Sequence, residues 1–148
     1  MNNLEQILQM WKKDSIIEEL NLDEASRDSA KLHSKYLEML SVNRLRVKKH
    51  EMDFKVLLKN KWLWYNGKMD KSQIDELGWG YDPLNGLTVL KGDMDRFYDA
   101  DPDIQASQAR IDYLKEVNDT LKEIIDNVKW RHQSIKNAID WQKFTSGM

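Results

Sequence analysis

The sequence predicts an all-α protein: an elongated antiparallel helical hairpin with a coiled-coil-like seam, a short N-terminal helix and a long connecting loop. Three observations carry this reading. Residues 24–65 contain neither proline nor glycine. A heptad pattern then runs through the last third of the chain. Between the two lie five of the six glycines and both prolines, the residues that most strongly interrupt regular structure. With 148 residues, one helical domain over 1–148 is expected.

Segment 1–22 forms the N-terminal helix, because Leu4, Ile7, Leu8, Trp11, Ile16 and Leu20 recur at helical spacing over residues 3–20. Asp23 is the expected N-cap of the next element, a long basic helix over 24–66. Leu37, Leu40, Val47, Phe54 and Leu58 form its apolar seam. Asn66-Gly67 stops it, since glycine tolerates the left-handed conformation that ends helices. Residues 67–102 read as an acidic loop holding short helices near Ser72–Leu77 and Asp93–Asp99. The last element, 103–144, is capped by Asp103 just after Pro102. Ile104, Ser107, Ile111, Leu114, Asn118, Leu121, Ile125, Val128, His132, Ile135 and Ile139 alternate in it by three and four. Asn118 in such a seam would fix register. Two helices of about 40 residues would each be about 60 Å long, against about 40 Å for the diameter of a compact globule of this size. Either the helices break, or the subunit is an elongated hairpin whose seams other subunits complete, which is the preferred reading.

The net charge of −2 conceals a segregation. From Arg44 to Lys68, eight basic residues face two acidic ones, net +6. From Asp70 to Asp103, nine acidic residues face three basic ones, net −6. A run of one sign attracts a polyanion even on a near-neutral molecule. There is no cysteine, so thiolate chemistry and disulfides are excluded. The three histidines lie far apart, so no metal site is expected. The aspartates of 93–103 lack the ligand order of an EF-hand. No nucleophile–base pair or phosphate-cradling glycine loop is recognisable, and neither catalysis nor a cofactor is expected. No apolar run approaches the roughly 18 residues of a membrane span. The expectation is a protein of the cytoplasm.

The stretch Lys59-Asn60-Lys61-Trp62-Leu63-Trp64-Tyr65-Asn66-Gly67-Lys68 interleaves cations with large aromatics. Single-stranded nucleic acid is bound by such surfaces: lysines neutralise phosphates, and Trp62, Trp64 and Tyr65 offer faces on which bases stack. Lys48, Lys49 and Lys55 extend the same basic run. The alternative is that Trp62 and Tyr65 belong to the core and the lysines form a solvated face. At the other end, Ile135, Ile139, Trp141 and Phe144 lie where a terminal amphipathic segment needs cover, either by folding back or at a subunit interface. Oligomerisation through them is the preferred reading.

In order and spacing, several motifs resemble the recombination mediator family UvsY of T-even-like bacteriophages. They are the stretch Leu58–Lys68, LHSKYL near Leu32, VLKGDMD near Val89 and the ending IKNAIDWQKFTSG. The resemblance spans nearly the whole chain. It implies a non-enzymatic homo-oligomeric ring of six or seven subunits that binds single-stranded DNA. It also implies that the ring helps load a RecA-like (UvsX-like) recombinase onto strands coated by the phage single-strand DNA-binding protein. By position, Lys59 and Lys61 match the family's paired basic residues implicated in DNA binding, and Ile135–Phe144 its assembly region. Lys61 stands where an arginine can occur, and a lysine cannot make the same bidentate phosphate contact. The competing reading, from a different class, is a structural coiled-coil scaffold that does not bind DNA and whose basic and acidic stretches pair between subunits.

Overall fold

The computed structural model describes residues 3–147, Glu19 by its backbone alone; the first two residues of the expected N-terminal segment and Met148 lie outside. Among the described residues the chain is all-helical, without a strand. Its helices are α1 (Leu4–Asp14), α2 (Leu22–Tyr65), α3 (Lys71–Leu77), α4 (Met94–Ala100) and α5 (Pro102–Thr145), with a 3-10 turn at Glu19–Asn21. The chain forms two compact units, one of Met1–Arg46 with Leu114–Met148 and one of Val47–Tyr113. α2 and α5 contribute to both.

In the first unit α1 packs with the first half of α2 and the second half of α5. Ile7, Tyr36, Leu40, Val117, Leu121, Ile124, Ile125 and Val128 form its main core, and Leu22, Ala25 and Ile135 a second cluster. The start of α2 thus meets the end of α5, so the two run antiparallel here. Asn43 extends the pairing by donating to the carbonyl of Leu114 and to Asn118 Oδ1, at 2.8 and 2.7 Å. Asn118 therefore meets its register partner within the same chain. α1 is held by a capping box, in which Asn3 Oδ1 accepts from the Gln6 amide and Gln6 Oε1 from the Asn3 amide, both at 2.9 Å. Trp11 packs edge-on against Tyr36. The Tyr36 hydroxyl and Lys35 ammonium each donate to Asp14 at 2.7 Å. Burial pushes the Asp14 carboxyl up, but these donors outweigh it and hold it below its usual range.

Several details depart from the sequence reading. α1 ends at Asp14 rather than near residue 20, because the Arg131 guanidinium takes the carbonyls of Asp14 and Ile16, at 2.7 and 3.3 Å. Ile16 and Leu20 are consequently exposed. α2 starts at Leu22, which places Asp23 inside its first turn. Leu37 is exposed, and an inward line of α2 runs through Leu22, Ala25, Ser29, Leu32, Tyr36, Leu40, Asn43, Val47, His50, Phe54, Leu57 and Lys61, with Leu58 half-buried beside Leu57. These alternate by three and four with one extra step of four after Tyr36, the signature of a stutter in a heptad pattern. In α5 the exposed His132 yields its inward place to Arg131. Val117 and Ile124 are buried beside the expected positions, since α1 covers a wider face than a two-helix seam would. Ile135 is sealed inside this unit with Leu22 and Ala25, which is incompatible with its side chain serving as an interface anchor in this conformation.

In the second unit α2 ends as Asn66-Gly67 requires. Gly67 has φ +66°, and the amides of Lys68 and Gly67 bond back to the carbonyls of Leu63 and Trp64, at 2.8 and 3.2 Å, a Schellman closure. α5 begins at Pro102, so the capping residue is Asp101 and not Asp103: its Oδ1 accepts from the amides of Asp103 and Ile104, at 2.9 and 3.0 Å. Proline at the first helical position lacks only a donor that would have been unused.

Candidate nucleic-acid interface

The inward positions of α2 in the second unit end at Lys61. Its ammonium is 2.7 Å from Asp103 Oδ2 and 3.1 Å from Asp101 Oδ2. It also lies 4.4 and 4.0 Å from the ring centroids of Trp64 and Trp79. The residue is 2% exposed. Two carboxylates and two indole faces thus replace its hydration, the condition under which a charge can be buried.

Asp101 is the hub of this arrangement. One carboxylate oxygen caps α5; the other accepts from the Tyr65 hydroxyl at 2.6 Å and faces Lys61. Burial raises its pKa, but the bonds from Tyr65, the Ile104 amide and Lys61 prevail and hold it below the usual value. The Tyr65 hydroxyl is shifted upward by burial and by this same bond. Tyr65 packs on Phe97 of α4, and Trp64 packs on Trp79 while its indole nitrogen donates to the Gly80 carbonyl at 2.8 Å. Trp64 and Tyr65 are therefore half-buried parts of the unit's aromatic packing.

Lys48, Lys49, Lys55, Lys59 and Lys68 remain exposed. Lys48, Lys55, Lys59 and Trp62 follow one another by seven, four and three residues, so they share one strip of α2, which also carries Glu51. Trp62 is 40% exposed. The Lys68 ammonium, returned by the Gly67 turn, lies 4.8 Å from its ring centroid. Of the nine residues singled out in the sequence, six are thus presented at the surface, while Lys61, Trp64 and Tyr65 turn to the interior. Asp101 and Trp79, with the exposed Asp103, complete the group around Lys61 and were not singled out as site residues. Only Asp101 had a local signal, its place before Pro102.

At the other end of the chain Trp141 and Phe144 stack at 5.7 Å and are 64% and 75% exposed. Ile139 is half-buried beside the second cluster of the first unit.

A family model described as recombination, repair and ssDNA binding protein UvsY matches residues 10–148. The chain belongs to the UvsY family. The fold agrees with solved members. One crystal structure of the bacteriophage T4 recombination mediator protein UvsY, in lattice type II, superimposes with a TM-score of 0.84 at 23% identity, covering 99% of each chain. Lattice type IV gives 0.80 at 24% identity over 97% of this chain and 99% of that one. Lattice type I gives 0.80 at 23% over 93% and 97%. Comparison with curated protein sequences gave no match. No helix among the described residues is long and apolar enough to cross a membrane, and no group of three or more potential ligands there could hold a metal ion.

Proposed function

We propose that this UvsY-family chain is a recombination mediator that binds single-stranded DNA as a homo-oligomeric ring. In this reading it promotes loading of a RecA-like recombinase onto DNA coated by single-strand-binding protein. The observation that carries the DNA-binding part is the exposed strip Lys48, Lys55, Lys59 and Trp62, with Lys68 held over the Trp62 ring. Lys49 flanks it. Such a strip supplies phosphate neutralisation and an aromatic face, the two elements of sequence-tolerant single-strand binding. Repeated around a ring of six or seven subunits, weak strips act together, because a strand held at one meets the next at high effective concentration. Exposed Trp141 and Phe144, with Trp130 on the same side of α5, supply apolar anchors for assembly. Ile135 and Ile139 act there by fixing α5 within its own unit.

The test is a salt titration of binding to a labelled oligothymidylate, followed by anisotropy. Wild type is compared with the triple variant Lys55→Ala, Lys59→Ala, Lys68→Ala at checked assembly state. Three lost phosphate contacts lower the slope of log K against log salt by about 2, at about 0.7 per contact for single strands. Absent binding, or an unchanged slope, would leave the coiled-coil scaffold as the better account. Trp141→Ala with Phe144→Ala is expected to release smaller species in sedimentation. Loading is tested by whether the chain speeds recombinase assembly on coated DNA.

A further inference from the structure

We propose that Lys61 governs DNA binding as a positioning residue and does not contact phosphate. The proposal rests on the reading of the second unit as a single-strand binder. Its sequence neighbours invite the opposite view, since Lys59 and Lys61 look like one basic pair. On a helix, however, residues two apart point some 200° from each other. With Lys61 inward, Lys59 is necessarily outward, and the structure shows one exposed and the other sealed.

An ammonium has three donors. In Lys61 they face Asp103 and Asp101, and the remaining surface of the cation is covered by Trp64 and Trp79. A phosphate could reach it only by displacing Asp101 from a desolvated pair or Asp103, whose carboxylate covers the cation on the solvent side. What Lys61 does instead follows from where its partners come from. Asp101 caps α5, Tyr65 closes α2 onto Asp101, and Trp79 follows the end of α3. One cation therefore ties the last turn of α2 to the start of α5 and to the connecting segment. That last turn carries Trp62, and the Gly67 turn behind it carries Lys68. Lys61 also neutralises Asp101 and Asp103, whose unpaired charges would repel a strand held nearby. Loss of Lys61 thus weakens binding by misplacing the Trp62 ring, a stacking face and not a phosphate contact, and by leaving the negative charges of Asp101 and Asp103 without their cation.

The two roles differ in one observable. A residue that contacts phosphate contributes to the salt slope, and one that positions others changes affinity at nearly constant slope. The experiment measures oligothymidylate binding by the full chain across salt concentrations. The variants are Lys59→Ala, Lys61→Met, and the combined Lys61→Met, Asp101→Asn, Asp103→Asn. Lys59→Ala is expected to lower the slope by about 0.7. Lys61→Met is expected to weaken binding at least tenfold with the slope unchanged, and the combined variant, with no unpaired buried charge, to recover most of that loss. If Lys61→Met fails to fold, the combined variant decides. It lacks the cation but leaves no unpaired buried charge, so a phosphate-binding Lys61 would lower its slope by about 0.7, whereas a positioning Lys61 leaves it unchanged. A fall in slope for Lys61→Met or for the combined variant, or unchanged affinity in Lys61→Met, overturns the proposal. Failure of the wild type to bind at all would instead overturn the reading beneath it.

Discussion

Replacing Asp101 by asparagine isolates the charge of the buried hub from its shape. Asn keeps the Oδ1 acceptor that caps α5 through the Asp103 and Ile104 amides. Its amide nitrogen takes the place of Oδ2, which now accepts from Tyr65 and faces Lys61 at 3.1 Å. The tyrosine oxygen can turn to accept from that nitrogen, but the ammonium then faces a donor. Removing one partner of a buried pair costs about 3–5 kcal/mol. Lys61 retains Asp103 at 2.7 Å, so the lower end, about 3 kcal/mol, is expected. Asp101→Ala removes the cap and the Tyr65 bond as well, each adding about 1 kcal/mol, for about 5 kcal/mol in all. Native-state amide hydrogen exchange resolves the affected part of the chain. Protection of amides in 47–65 and 102–113 should fall about a hundredfold in Asp101→Asn and several thousandfold in Asp101→Ala. If Asp101→Asn stays within about tenfold of wild type, or matches Asp101→Ala, the assignment of the main energy to the ion pair is wrong.

Other perturbations test the remaining structure. Asn43→Ala strands the side-chain oxygen of Asn118 and should cost about 1–3 kcal/mol, while Asn43→Leu with Asn118→Leu should recover it; thermal melts distinguish the two, and a neutral single variant would remove the register role. Gly67→Ala meets no atom within 4 Å but must hold φ near +66°, so a pure backbone cost of about 1–2 kcal/mol is expected in urea midpoints. Asp14 and Asp101 both have depressed folded pKa values, so their contribution is complete above the ordinary carboxylate value of 3.8 and disappears as pH falls through the lower folded values. Tyr36 and Tyr65 are shifted up from 10.0, so their contribution is present below that value and is lost as pH rises above it. Unfolding midpoints against pH should therefore form a plateau with an acid and an alkaline edge; replacing both tyrosines by phenylalanine should blunt the alkaline one.

Local chemistry written along the chain was enough to place most elements. The long stretch without proline or glycine became α2, Asn66-Gly67 ended it, the glycine-rich segment became the connection with its two short helices, and the heptads became α5. Each of these rests on backbone propensity or on a periodicity carried by apolar residues, which act within a turn or two of themselves. The direction of polar residues was a different matter. Ser29, Asn43, Lys61 and Arg131 are all buried, at places where an apolar pattern reads as a gap. An asparagine or a lysine is compatible with either face of a helix, and what decides is whether the opposing element offers it partners. Lys61 finds its carboxylates at Asp101 and Asp103 and an indole at Trp79, brought to it by α5 and the connecting segment. Arg131 finds the carbonyls at the end of α1, more than a hundred residues away in the chain. The sequence alone determined which segments are helical and which residues are charged. Only the tertiary structure decided which charges remain for a ligand, because desolvating an ion is tolerable solely where distant groups converge to replace its water.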